Sequence, residues 1–246
     1  MTAVQITGLR YTYPDGTAAL AGVDLAIERG ERVAVLGPNG AGKTTLMLHL
    51  NGLLTPDSGH VAVEGRVVGP DTVREIRQQV GLVFQDPDDQ LFMSTVRDDV
   101  AFGPANMGLT EETITERVDA ALAAVGMQEV GSRPPHHLSL GQRRRVAIAT
   151  VLSMDPALLV LDEPSSNLDP ASRREVAQVL LALKRTTIMV THDLSYALQL
   201  CPRSVILSAG RIVADGTTSE LLADAELLAR HRLELPYGFD PATATA

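Results

Sequence analysis

The sequence has no tryptophan, four tyrosines, four phenylalanines and a single cysteine in 246 residues. One cysteine excludes an internal disulfide and a cysteine-based zinc cluster, and leaves Cys201 to be read as a small buried apolar residue. Long apolar runs are missing as well. Ala157-Leu158-Leu159-Val160-Leu161 falls far short of the ~20 residues that a membrane-crossing helix needs. No basic segment leads into an apolar stretch and a small-residue cleavage site at the N-terminus, so the expected location is the cytosol, with a membrane protein still open as a partner. Basic charge is in deficit, 21 Lys and Arg against 30 Asp and Glu, and the net charge of −9 disfavours non-specific binding to nucleic acid or an anionic bilayer.

What is present begins with Gly37-Pro38-Asn39-Gly40-Ala41-Gly42-Lys43-Thr44, which fits the phosphate-loop pattern GxxxxGKS/T at every fixed position. An apolar segment of strand type, Arg32 to Leu36, precedes it, and Thr45 to Leu50 follows with helical spacing. Glycines allow successive backbone N–H groups to turn inward around phosphate oxygens, and the positive end of the following helix adds to them. Lys43 supplies a compact charge for the β- and γ-phosphates, Thr44 a hydroxyl for magnesium, and Thr45 a further phosphate contact. The bland alternative is a glycine-rich turn that happens to contain a lysine.

Other elements follow from periodicity. Val4 to Leu9 and Val23 to Ile27 alternate as half-buried strands around a turn at Tyr11 to Gly16. Val61 to Val63 reads as a strand, Val73 to Gln79 as a helix, and Val80 to Phe84 as a buried strand that delivers Gln85. From Val96 to about Thr150 the pattern turns helical, with Gly126 as a stop, giving an insertion of roughly 55 residues. Strand and helix alternate again afterwards: Leu158–Leu161, Ala171–Lys184, Thr187–Val190, Leu194–Leu200, Val205–Leu207. This order predicts a parallel, doubly wound sheet. Arg211 to Ala214 reads as a strand and Ser219 to Arg230 as one helix, and the small, polar residues after Pro236 have the composition of a disordered end.

Two carboxylates, Asp162 and Glu163, close the very apolar strand Leu158–Leu161, at the sheet edge where parallel sheets bind ligands. Asp162 suits magnesium, directly or through water, and Glu163 can orient and deprotonate a water. His192 ends the next strand, where it can donate to a γ-phosphate while Asp193 holds its tautomer or caps the following helix. Gln85 is neutral and long enough to reach both a magnesium shell and a water. For Tyr13 the residues alone favour a ring that covers a strand end over one that stacks on a base.

Leu138-Ser139-Leu140-Gly141-Gln142 opens a helix with a serine cap and a basic first turn, Arg143 to Arg145. It resembles the signature sequence, usually LSGGQ, of the ATP-binding cassette (ABC) family. The phosphate loop, Gln85, the signature, Asp162-Glu163, the turn Ser166-Asn167-Leu168-Asp169 and His192 occur in that family's order and span almost the whole chain. The resemblance implies a P-loop NTPase fold: a RecA-like parallel-sheet α/β core with an N-terminal antiparallel β part and an inserted helical subdomain. On that plan 1–90 and 151–210 form the core, about 91–150 the helical signature subdomain, and 211–246 a C-terminal hairpin and helix. It makes Tyr13 the adenine-stacking aromatic, ATP and Mg2+ the ligands, and the signature a partner for nucleotide held by a second ATPase subunit, identical or not. The departure is Leu140, where the family usually has glycine.

Val83-Phe84-Gln85-Asp86-Pro87-Asp88-Asp89-Gln90-Leu91-Phe92, Val100-Ala101-Phe102-Gly103-Pro104 and the tail Ala229 to Pro236 are similar to the energy-coupling-factor ATPases of the cobalt and nickel type, often called CbiO. That resemblance implies a peripheral place on the cytoplasmic face of the membrane, integral-membrane subunits including a substrate-binding component, and no nucleic-acid partner. Importers for vitamins such as biotin share these stretches. His136-His137 is read as surface, not as a metal site. The rival class is a non-transport ABC ATPase of DNA repair, chromosome structure or cluster assembly. The helical insertion is too short for the coiled coil of chromosome-structure members. A module that binds nucleotide without turnover is disfavoured by Glu163 and His192.

Overall fold

A computed structural model describes residues 1–241. In chain order its elements are β1 (Thr2–Thr12), β2 (Ala18–Glu28), β3 (Arg32–Leu36), α1 (Lys43–Leu50), β4 (Ser58–Val63), β5 (Arg66–Val67), α2 (Val73–Gln79) and β6 (Val80–Val83). Then come α3 (Val96–Asn106), α4 (Glu111–Ala124), α5 (Leu140–Leu152), β7 (Leu158–Asp162), α6 (Pro170–Ala182), β8 (Thr186–Val190) and α7 (Leu194–Leu200). The last are β9 (Arg203–Ser208), β10 (Arg211–Thr217), α8 (Thr218–Ala223) and α9 (Ala225–Arg230). The chain divides into two compact units: Met1–Val80, Ala157–Glu163 and the chain from Arg185 onward in one, Gly81–Pro156 and Pro164–Lys184 in the other.

The first unit holds two sheets. One is antiparallel, in the order β2-β1-β4-β5. In the other β9, β3, β8 and β7 run parallel, with β10 antiparallel on β9. β7 and β8 are buried along their whole length, and β3 from Val33 onward, which is why they read as continuous apolar runs and not as alternating ones. Because they are parallel, the residues that follow β3, β7 and β8 leave the sheet at one edge.

The second unit is helical from Val96 to Leu152. Its core is Val100, Val118, Leu122, Val146, Ile148 and Val176, all nearly inaccessible. Side chains start the helices: Thr95, Thr110, Ser139 and Asp169 each accept a backbone N–H of the first turn. Helix α4 ends where the glycine signal placed it. Gly126 takes φ 66, its N–H bonds Ala123 O, and the Met127 N–H bonds Leu122 O, a pairing that satisfies the last carbonyls.

Some limits differ from the periodicity. Tyr11 and Thr12 belong to β1, because pairing with Leu20 and Ala18 carries the strand past the apolar alternation. The segment Ser219 to Arg230 is two helices, broken at Asp224, whose side chain caps Leu227 N at 2.9 Å and so competes with a continuous helix. Phe239 N bonds Pro236 O in a turn, and the expectation for the final residues, 242–246, lies outside the described ones. Cys201 is buried, and burial pushes its thiol up to about 12.

Candidate nucleotide-binding site

The site is assembled at the shared edge of the first unit's parallel strands. Gly37 follows β3 so closely packed that a Cβ there would lie 2.2 Å from Leu207 O, and one on Gly42 would lie 2.4 Å from Ala19 O. The two glycines are therefore required by space as well as by conformation. Gly42 is the N-cap of α1 at φ 102, with no capping side chain. The first-turn N–H groups of Lys43, Thr44 and Thr45 therefore have no partner within the helix, the condition for anion binding. Pro38, Asn39, Gly40 and Ala41 complete the loop, with Asn39 and Gly40 exposed.

Lys43 is 8% exposed, and its ammonium donates to Gly37 O at 2.8 Å and Pro38 O at 3.1 Å, arching over the loop. Burial pulls its pKa below the ordinary lysine value, opposed by the charges of Glu163 and Asp162. The Thr44 hydroxyl donates to Asp162 Oδ2 at 3.3 Å. A hydroxyl and a carboxylate side by side are the hard oxygens that Mg2+ takes, so this donor set fits the ion, and the lysine with its ring of N–H groups fits a polyphosphate.

Glu163 sits one residue past β7 at φ 46 and is 7% exposed. Its carboxylate accepts from Thr191 Oγ1 at 3.0 Å, from His192 N at 3.1 Å and from His192 Nδ1 at 2.7 Å. This resolves the alternatives for Asp193. Its carboxylate caps α7 by accepting Tyr196 N at 3.0 Å, while the histidine tautomer is set by Glu163. Tyr13 lies on the phosphate-loop side of the unit, its hydroxyl 2.9 Å from Thr45 Oγ1. The Thr45 hydroxyl is thus already engaged.

The second unit carries the other sequence-selected residues. Ser139 caps α5 in a reciprocal box: its Oγ accepts Gln142 N at 3.3 Å, and Gln142 Oε1 accepts Ser139 N at 3.0 Å. Leu138 is buried and Leu140 occupies the first helical turn, half-exposed. A Cβ on Gly141 would lie 2.4 Å from Ser172 Oγ, and that hydroxyl donates to Asp169 Oδ2 at 2.6 Å. Asn167 takes φ 61, Leu168 closes a turn on Ser165 O, and Gln85 is exposed beyond β6. His136 and His137 are exposed and stack edge-on at 4.4 Å.

Two residues escaped the sequence reading. Thr191 reads in the sequence as a plain strand end, yet it is wholly buried and its hydroxyl holds Glu163. Arg144 reads in the sequence as one member of a basic turn, yet it is only 1% exposed. Its guanidinium donates to Phe84 O at 3.0 Å, to Gln85 O, and to Ser166 O at 3.3 Å, so one buried side chain ties Gln85 and the 166–169 turn to the signature helix. A charged residue on the apolar stripe of α5 was the available signal.

Among proteins of known kind, a putative ABC transporter ATP-binding protein of Streptomyces avermitilis is 66% identical over 99% of this chain and 93% of its own length. The energy-coupling factor transporter ATP-binding protein EcfA of Methanothermobacter thermautotrophicus is 50% identical over 95% of this chain and 76% of its own. The solved structure of cbiO1 from Clostridium perfringens, part of the ABC transporter complex cbiONQ, superposes with a TM-score of 0.84 at 40% identity, covering 96% of each chain. Residues 20–166, from the second strand through the phosphate loop and signature to the first residue of the 166–169 turn, match the ABC transporter family, and the chain belongs to that family of Mg2+-dependent ATP-hydrolysing transport subunits.

Proposed function

We propose that this ABC ATP-binding subunit powers an energy-coupling-factor importer for cobalt or nickel ions. The observation that carries the energy-coupling-factor class is the joint likeness to EcfA and to cbiO1, each along at least 95% of this chain, while the ions rest on the sequence resemblance to the cobalt and nickel type. The stretches Val83–Phe92 and Ala229–Pro236 support it.

In this reading Lys43 and the loop N–H groups would bind the β- and γ-phosphates, Tyr13 would stack on adenine, and Thr44 and Asp162 would hold Mg2+, which would supply charge neutralisation on the phosphates; Gln85 is a further ligand only as the family resemblance implies it. Glu163 takes the proton of the attacking water as the terminal phosphate leaves ADP. Its three hydrogen bonds fix the direction in which its lone pairs point. His192 donates a hydrogen bond from Nδ1–H to the Glu163 carboxylate and keeps that proton, so its Nε2 donates to phosphate only in the imidazolium form. Ser139 uses its oxygen as an acceptor in the cap and keeps its hydroxyl proton for a phosphate of the partner subunit's nucleotide. Asp169 belongs to the turn that links the two composite sites, and closure of the dimer drives transport.

Membrane subunits need a face to grip. Phe92 is 62% exposed and Phe102 44%, and they stack edge-on at 4.9 Å. Asp99 holds the backbone beneath them by accepting Phe92 N and Met93 N, each at 3.0 Å. An exposed aromatic pair on a rigid backbone suits an apolar segment of a membrane component at the cytoplasmic face.

Affinity purification of the tagged chain from native membranes, followed by ATP-dependent uptake of radioactive cobalt or nickel in vesicles, tests the assignment. Co-purification of a small integral-membrane substrate-binding subunit and metal uptake are expected. Uptake of biotin or another vitamin instead would move the substrate and keep the class. Recovery with DNA-repair or chromosome-structure proteins and no membrane partner would overturn it.

A further inference from the structure

Beside the phosphate loop, Tyr11, Tyr13, Thr45 and His49 close a circuit of contacts. The Tyr13 ring meets Tyr11 edge-on, with centroids 5.1 Å apart at 84°. Tyr11 in turn meets the His49 imidazole at 4.9 Å and 74°. The His49 Nδ1 donates to Thr45 O at 2.7 Å, one turn back along α1. The hydroxyls of Thr45 and Tyr13, 2.9 Å apart, complete the ring.

His49 is a costly residue to keep there. It is 1% exposed, and its Nε2 is buried with no partner. Since Nδ1 faces a carbonyl it must carry the proton, which leaves Nε2 as an unsatisfied lone pair, and burial holds the ring's pKa below the ordinary histidine value. Its neighbours Leu46, Met47 and Leu50 show that α1 packs well with apolar side chains. An apolar residue would fill the space of His49 without the unpaired nitrogen. What it would lose is the bond to Thr45 O, which fixes the ring plane presented to Tyr11.

We propose that Tyr11 and His49 are positioning residues that hold the Tyr13 ring at the base end of the nucleotide site, so that preference for a nucleotide over a bare polyphosphate is set from the buried face of α1. The inference rests on Tyr13 contacting the base. A half-buried tyrosine on an exposed turn has rotamers that swing it away from a stacked base, and the edge contact with Tyr11 restricts them. Tyr11 is in turn set by an imidazole that cannot rotate without losing its carbonyl. The hydroxyl bond to Thr45 ties the base end of the site to the helix whose first turn faces the phosphates.

The test compares two ligands on the full chain by calorimetry, Mg·ATP and magnesium tripolyphosphate, which lacks the base. Tyr13→Ala should weaken ATP about tenfold and leave tripolyphosphate unchanged. Tyr11→Leu and His49→Phe should each weaken ATP roughly threefold, again with tripolyphosphate unchanged, while Tyr11→Phe, which keeps the ring edge, should match the parent. If Tyr13→Ala lowers ATP affinity selectively but Tyr11→Leu does not, the positioning role is wrong and the base contact stands. If Tyr13→Ala leaves the ratio of the two affinities unchanged, the base contact itself is wrong. Equal loss of both ligands in Tyr11→Leu overturns the proposal in favour of a general structural role. Tyr11 is half-buried, so this variant carries the test even where His49→Phe fails to fold.

Discussion

Glu163 and Ser139 show how differently the two compact units hold their polar groups. Glu163 is buried and takes three hydrogen bonds from the end of β8, and Lys43, also buried, bonds two carbonyls of its own loop. The first unit thus arrives with its chemistry fixed in place, as a catalytic constellation requires. Ser139 is exposed on a helix start, and Gln85, Asn167 and Asp169 are exposed on turns. What is buried in the second unit is the support: Arg144 beneath Gln85 and Ser166, and Gly141 pressed against Ser172. One unit buries its polar groups and holds them fixed, and the other buries the support and leaves its polar groups exposed.

That contrast can be broken from either side. Glu163→Gln, in the first unit, should lower steady-state ATP turnover by about 10²- to 10⁴-fold with ATP binding intact, and accumulate a stable ATP-bound dimer. Gel filtration with ATP and a phosphate-release assay check both parts, and normal turnover would refute the base assignment. Lys43→Ala should instead weaken ATP binding by roughly 10- to 100-fold, the loss of charge-assisted bonds, as read in a titration. In the second unit Gly141→Ala should cost about 1–3 kcal/mol of stability, because the new Cβ displaces Ser172. It should slow turnover with little change in ATP affinity, since the disturbed group is Asp169. Equal loss of affinity would erase the distinction between the units.

The smallest effect concerns Asp99, which is buried and whose Oδ2 has no partner. Burial, the largest influence, raises its carboxyl above the ordinary 3.8. A raised folded-state value means that the group favours the fold below the unfolded value and that this contribution is lost as pH rises through the folded one. The parent should therefore lose stability relative to Asp99→Asn as pH climbs from below 3.8 toward neutrality. Thermal melts of both proteins across that range check the sign, and parallel curves would contradict it.

Much of this was readable from local sequence, and the failures share a cause. Helices α2 and α7 have the limits that their apolar spacing implied, and Gly126 stops α4 because only a left-handed residue fits that cap. Tyr11 and Thr12 look like turn residues in the sequence since their strand character comes from pairing across to β2, which periodicity within one segment does not register. Thr191 and Arg144 stayed hidden for a similar reason. Their importance lies in which distant backbone or carboxylate they touch.

The sequence by itself determined which chemical groups stand together locally: a glycine pattern that frees backbone N–H groups, a lysine and threonine beside them, carboxylates at a strand end, and a serine-capped helix. These are local because each depends on spacing along one strand, loop or turn. Tertiary structure alone decided that the histidine tautomer answers to Glu163 and not to Asp193, that the Thr45 hydroxyl is joined to Tyr13, and that a buried imidazole stands behind the aromatic pair. Such choices are made by groups far apart in the chain competing for the same lone pair or proton, and only folding brings the competitors together.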